Sequence, residues 1–246
     1  MPTAKQAIQE LFKTSVSDNN LVYKFNLYDA SVTQKLWSTS YYLQRLRSLD
    51  VNQYLMYPTT TTGTTSTGEV FVSDPLFDAP RFYYDLNRLL DGFFMNSMSA
   101  LDTLAHQIYT LYRCRSNPPK KIYIRTATQM LTREHTNCKL GHFLGSQLGT
   151  RWFLEFEPFR HCTTHESLIK FADTGTVYDD ITRSYRLLKK IKLPDDPTSI
   201  PFNYGRNRKA TEYCVGLFGK IHSLIDKAYD NILADIRSNS NTIPVP

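Results

Sequence analysis

From Arg81 to Tyr112 the large apolar residues keep helical time: Phe82, Leu86, Leu89, Phe93, Leu101, Leu104, Ile108 and Leu111 recur mostly three or four positions apart. That spacing puts them along one side of a turn of about 3.6 residues, and a run of this length predicts a single long helix. The stripe is wide and aromatic, so it needs cover on several sides, which other helices supply most economically. The chain is therefore expected to fold as a mainly α-helical bundle.

Partner helices are legible elsewhere. Asp29 to Leu49 reads as a helix with an imperfect stripe of Val32, Leu36, Leu43 and Leu46. Thr128 to Thr150 holds one helix or two, with Gly141, Gly145 and Gly149 at four-residue steps that suit close helix packing. Arg208 to Ile236 reads as a long C-terminal helix carrying Tyr213, Leu217, Ile221, Leu224, Ala228 and Ile232 on one face.

Residues 57–80 interrupt the helical pattern as a loop or hairpin insertion. A threonine and glycine tract, Thr59 to Gly68, has no apolar residue to bury, and Glu69 to Val72 reads as a short strand. Lys170 to Lys192 suits a small hairpin or a short helix. Asp195 and Asp196, flanked by Pro194 and Pro197, suit a turn rather than a metal site. Residues 238–246 are expected to be a loose tail. With no internal repeat and no evident linker, 1–246 reads as one domain.

Composition sets the class. At 41% hydrophobic and 13% aromatic with only 10 glycines, the chain has the balance of a soluble globular domain and not of a disordered one. Cys114, Cys138, Cys162 and Cys214 form no Cys-x-x-Cys pair, which argues against a zinc ribbon or a disulfide framework. Met1 to Lys13 lacks the apolar core of a signal peptide, and no apolar run approaches the roughly 18 residues of a membrane span. The expectation is a cytoplasmic protein with no membrane association. A Gly-x-x-x-x-Gly-Lys loop is absent, so P-loop nucleotide hydrolysis is disfavoured.

The net charge of +6 is moderate, but the cations cluster. Arg113, Arg115, Lys120, Lys121 and Arg125 form one stretch, Arg186, Lys189, Lys190 and Lys192 a second, and Arg206, Arg208 and Lys209 a third. Tyr123, Tyr185 and Tyr204 lie among them and can stack on bases beside phosphate contacts. Lys120, Lys121 and Arg206 are the substrate-binding candidates for RNA. Solvated helix faces and helix ends are the competing reading.

One stretch reads as chemistry: Arg160-His161-Cys162-Thr163-Thr164-His165. A guanidinium can hold a phosphate by two parallel hydrogen bonds, and an imidazole can take a proton from a ribose 2′-hydroxyl or return one to the leaving oxygen. Arg160, His165 and His161 are therefore the catalytic candidates, and the chemistry calls for neither a metal nor an organic cofactor. Pro158 suggests that a helix begins near Glu157 or kinks there, which would set Arg160 close to a helix N-terminus. On an ideal helix Arg160 and His165 diverge by about 140°, so their convergence needs the long arginine stem, a local distortion or a second copy of the helix. Asp102 and His106, four apart in the long helix, are second candidates, as a carboxylate orienting a histidine or as a helix ion pair.

These residues carry a resemblance. The Arg, a polar residue, three more and a His resemble the Arg-x4–6-His motif of the HEPN superfamily. The surrounding text, Trp152-Phe153, Phe159 to Glu166, Leu101 to His106 and Leu193 to Pro197, is similar to an uncharacterised bacterial group whose motif reads Arg-Asn-Cys-Thr-Thr-His. The likeness spans roughly residues 80 to 236 and departs from that pattern at His161, where the group has Asn. It implies a dimeric helical bundle and a metal-independent endoribonuclease or an RNA-binding module. A toxin or antiphage setting with a regulatory protein partner is implied too.

Two other readings of the motif stay open. Arg160 and the histidines can cap carbonyls or pair with Glu157 and Glu166, leaving a noncatalytic assembly or regulatory protein. His161 and His165 have zincin-like spacing, but Cys162 stands where the water-activating glutamate would be, and a zinc site would need a fourth ligand from elsewhere.

Overall fold

A computed structural model describes residues 3–15, 18–56, 62–64, 70–72, 76–112, 121–162, 169, 172, 176–179, 184–187 and 191–238. Among them the protein is a mainly α-helical bundle of seven helices with four small antiparallel strand pairs.

The long apolar stripe becomes α3, Ala79–Leu111, the central element. Asp78 caps its N-terminus by accepting from Arg81 N at 3.1 Å, and Pro80 sits in the first turn, where a missing N–H costs nothing. Leu90, not Leu89, carries the buried face in mid-stripe.

Against α3 lies α2, Asn19–Arg47. The two run antiparallel: Gln107 Nε2 donates to the carbonyl of Phe25 at 3.2 Å, Tyr28 stacks on His106, and Tyr42 packs on Gly92. α2 begins ten residues before the expected Asp29. Asp18 caps it through the N–H groups of Asn20 and Leu21, and Leu21 and Phe25 extend the buried face. Asp29 lies inside the helix because it is paired: Lys5 Nζ is 2.8 Å away, Gln9 donates at 3.2 Å, and Tyr229 shares its hydroxyl proton between Asp29 and Gln107. This buried network ties α1, Ala4–Ser15, to α2, α3 and the C-terminal helix α7, Ala210–Ser238.

Two short helices, α4 (Ile124–Glu134) and α5 (Lys139–Leu148), fill the expected Thr128–Thr150 region. Asp235 of α7 caps α5 from across the core, accepting from Lys139 N at 2.8 Å and Leu140 N at 3.2 Å, while Tyr112 donates to the same carboxylate at 2.8 Å. Cys138 Sγ accepts from Gly141 N, and burial pushes the thiol up to about 11. Of the glycine steps only Gly141 serves close helix packing: a Cβ there would meet the Cys138 sulfur and Leu131 and Thr132 of α4, whereas Gly145 has open space around it and Gly149 is a helix end. His135, which has no partner evident in sequence, meets the Tyr112 carbonyl at 2.9 Å.

The insertion carries two ladders, β1 (Leu55–Met56) with β4 (Leu76–Phe77) and, inside them, β2 (Thr62–Thr64) with β3 (Val70–Val72). A hairpin of β5 (Thr176–Asp179) and β6 (Ser184–Leu187) occupies the Lys170–Lys192 region, and β7 (Lys192–Leu193) pairs with β8 (Arg208–Lys209). α7 thus starts two residues later than expected, because Arg208 and Lys209 belong to a strand. The tail, residues 239–246, lies outside the described residues. No helix among them is long and apolar enough to cross a membrane.

Candidate functional site

The motif arginine is placed by aromatic packing. α6, Arg151–His161, begins at Thr150 and buries Phe153, Phe156 and Phe159 completely. Phe159 lies flat on Phe94 of α3, ring centres 4.7 Å apart and planes 8° off parallel. With that face pinned, Arg160 comes over the junction of α3 and α4.

The helix direction corrects the sequence reading. α6 does not start at Glu157; it runs through Pro158 and ends at His161, so Arg160 and His161 occupy its last turn. The three buried phenylalanines outweigh the loss of one backbone donor at Pro158. Cations there complement the negative end of the helix dipole, and the expected N-terminal anion site does not exist. His165 lies outside the described residues.

Arg160 meets Asp102 and Tyr123 among its contacts. Its Nη2 is 3.4 Å from Asp102 Oδ2 on α3, and its guanidinium lies 4.5 Å above the ring centre of Tyr123, the residue preceding α4. Asp102 also accepts from Ile124 N at 3.4 Å. Burial pushes Asp102 up to about 6, the Arg160 charge and the Ile124 N–H pulling back and Glu157 adding to the rise. One turn away the second ion pair is tight: Arg125 of α4 grips Glu157 of α6 with two bonds of 2.6 and 2.8 Å and lies over Phe153. The fork and the carboxylate match there. Beside that closed pair the surface holds Arg160, facing a carboxyl that burial pushes up to about 6.

The other candidates divide. His161 is exposed at the end of α6, next to Arg160 in sequence but outside the aromatic face. Cys162 is fully buried, so it and His161 do not converge as zinc ligands, and no group of three metal-ligating side chains occurs among the described residues. Asp102 does not orient His106: it turns to α4 and α6, whereas His106 stacks on Tyr28 of α2 at 5.9 Å and is held below its ordinary value by burial.

Lys121 is exposed near the start of α4, and Lys120 lies outside the described residues. Arg206 is part of a clasp. Its Nη1 is 2.6 Å from Glu155, which also binds Arg151 at 2.7 Å and the buried Arg208 at 3.0 Å. Burial raises the Glu155 carboxyl, but the three arginines outweigh it and the net shift is downward. Asp195 accepts from Arg206 N, so the Asp195–Asp196 turn closes the same clasp.

Tyr123, legible as a base-stacking candidate, carries Arg160 over its ring. Glu155 was missed; Arg151 and Glu155 are four apart on a helix, which flags that pair but not its two distant partners. Comparison with protein-family models, curated proteins and solved structures gives no match to this chain.

Proposed function

We propose that the Arg160 surface binds a phosphodiester of RNA and that the protein is a HEPN-like, metal-independent endoribonuclease acting in the cytoplasm. The observation that carries this is where Arg160 is held: Tyr123 lies under its guanidinium at 4.5 Å and Asp102, a carboxyl pushed up to about 6, faces it at 3.4 Å, a contact that a phosphate oxygen can replace.

In the reaction, the ribose 2′-oxygen attacks the adjacent phosphorus and the bond to the 5′-oxygen breaks. A 2′,3′-cyclic phosphate and a 5′-hydroxyl result. Arg160 stabilises the charge on the non-bridging oxygens, and His165 takes or returns the proton, with His161 in support. The resemblance adds a homodimer and a toxin or antiphage setting with a neutralising partner.

The test is cleavage of single-stranded RNA in EDTA. Wild type should leave cyclic phosphate ends, and Arg160→Ala and His165→Ala should each lose turnover while keeping wild-type thermal stability within about 0.5–1 kcal/mol. Cleavage that persists in both variants contradicts the assignment.

A second reading rests on the direction of α6. Arg160 in a last helical turn, paired with Asp102 across helices, also suits a purely structural role in a noncatalytic assembly or regulatory protein. That reading predicts lower stability for Arg160→Ala and no RNA binding in the wild type.

A further inference from the structure

Between the C-terminal half of α2 and the N-terminal half of α3 lies a cleft of about 570 Å³, within the size range of small-ligand sites. Its lining combines Tyr41, Tyr42 and Arg45 of α2 with Tyr54 and with Asp85 and Arg88 of α3. One wall is fixed. Gly92 leaves the backbone of α3 bare, and the Tyr42 ring sits so close that a Cβ there would collide with it. Tyr41 stands edge-on to Tyr42 at 5.5 Å and is 57% exposed, so an aromatic edge is available at the mouth.

The opposite wall is polar. Tyr54 donates its hydroxyl to Asp85 at 2.9 Å, and burial with the Asp85 contact pushes the phenol up to about 12, so it stays a donor. Asp85 is the one carboxylate among the described lining residues, and it is occupied. Arg45 and Arg88 make no ion pair with any described residue. Two exposed guanidiniums against one engaged carboxylate give the described lining of the cleft a positive balance.

We propose that this cleft is a binding site for a small planar aromatic anion, with Arg45 and Arg88 holding the anionic group and Tyr41 and Tyr42 the ring. A phosphate and a carboxylate share the geometry that two guanidiniums recognise. A flat ring suits the Tyr41 edge and the fixed Tyr42 wall. The site is separate from the Arg160 surface: Arg88 precedes Asp102 by 14 positions on α3, about 21 Å at 1.5 Å per residue. The assignment does not depend on RNA binding.

Calorimetric titration of the full chain with four probes tests it: 1-naphthyl phosphate, 1-naphthoate, 1-naphthol and inorganic phosphate. At least one naphthyl anion should bind with 1:1 stoichiometry, and the preference between the two names the acid group. Neutral naphthol and inorganic phosphate should each bind at least about tenfold more weakly, the scale of one lost charge-assisted hydrogen bond. Arg45→Gln and Arg88→Gln should each weaken the anion about tenfold without altering the melting temperature, and Arg160→Ala should leave it unchanged. Equal binding of naphthol, equal binding of inorganic phosphate, no binding of either anion, wild-type affinity in the Arg45→Gln/Arg88→Gln double variant, or loss in Arg160→Ala would each overturn the proposal.

Discussion

Asp102 and Arg160, 58 positions apart in sequence, face each other at 3.4 Å across the junction of α3 and α6, and the carboxyl is held near pH 6 by its burial. The guanidinium carries its charge at every accessible pH, so the charge balance of the pair is set by Asp102 alone.

Anion binding at Arg160 should therefore strengthen as pH falls from 7.5 to 5, because protonation removes one negative charge beside the guanidinium. Titrating a fluorescent single-stranded RNA across that range measures it. In Asp102→Asn the affinity at pH 7.5 should exceed that of wild type, and the gain on lowering the pH should shrink to the part that histidine protonation supplies. Folding stability moves in the same sense. The native pKa is raised, so the unfolded chain ionises first, near 3.8, and stability is lost as pH rises through about 6. Asp102→Asn should melt above wild type at pH 7.5 and close to it at pH 4. A wild-type affinity that is flat between pH 5 and 7.5 would show that Asp102 does not control Arg160.

Glu155→Ala should be among the more damaging surface-proximal changes. It leaves Arg208, whose side chain is only 6% exposed, with the carbonyls of Pro194 and Asp195 but without its carboxylate, and removes the common partner of Arg151 and Arg206. Breaking a largely buried pair from one side costs about 3 kcal/mol, a fall of several degrees in melting temperature for a chain of this size. Replacing Glu155 and Arg208 together by Gln and Leu should recover part of it. Unchanged melting of Glu155→Ala would mean that the clasp is solvated.

Asp235→Ala should loosen α5 specifically. The carboxylate accepts from two otherwise unpaired amides at the helix start and from the Tyr112 hydroxyl, so its loss should cost about 2–3 kcal/mol. Hydrogen exchange should accelerate first at Lys139 and Leu140. Uniform acceleration across all helices would point to a global effect instead.

The helices whose apolar stripes are regular were legible, and the reasons are local. The stripe from Phe82 to Leu111 and that from Tyr213 to Ile232 give α3 and α7 within two residues at each end. Where a polar residue interrupts a stripe, sequence misleads. Asp29 reads as a helix start because its partners Lys5, Gln9 and Tyr229 lie on other helices, and only they explain a carboxylate in mid-helix. Pro158 reads as a first-turn proline because the pull of Phe153, Phe156 and Phe159 on the bundle is a tertiary fact. At the site, Arg160 is visible as a candidate from its type and neighbours. Its partners are not, since Asp102 and Tyr123 reach it only through the crossing of three helices. The basic run at Arg206 and Arg208 looks like a nucleic-acid stripe because Glu155, 51 positions from Arg206, is what turns it inward.

The claim that Arg160 is a phosphate ligand is tested most directly by the salt dependence of RNA affinity. Each phosphate contact on a single strand contributes a slope of roughly −0.7 to the logarithm of affinity against the logarithm of salt concentration. Wild type should bind single-stranded RNA with a steep slope, and Arg160→Ala should flatten it by about one contact, whereas a change at the remote Lys5 should not. An identical slope in wild type and Arg160→Ala, or no RNA affinity at physiological salt, would contradict the assignment and leave Arg160 a structural cation.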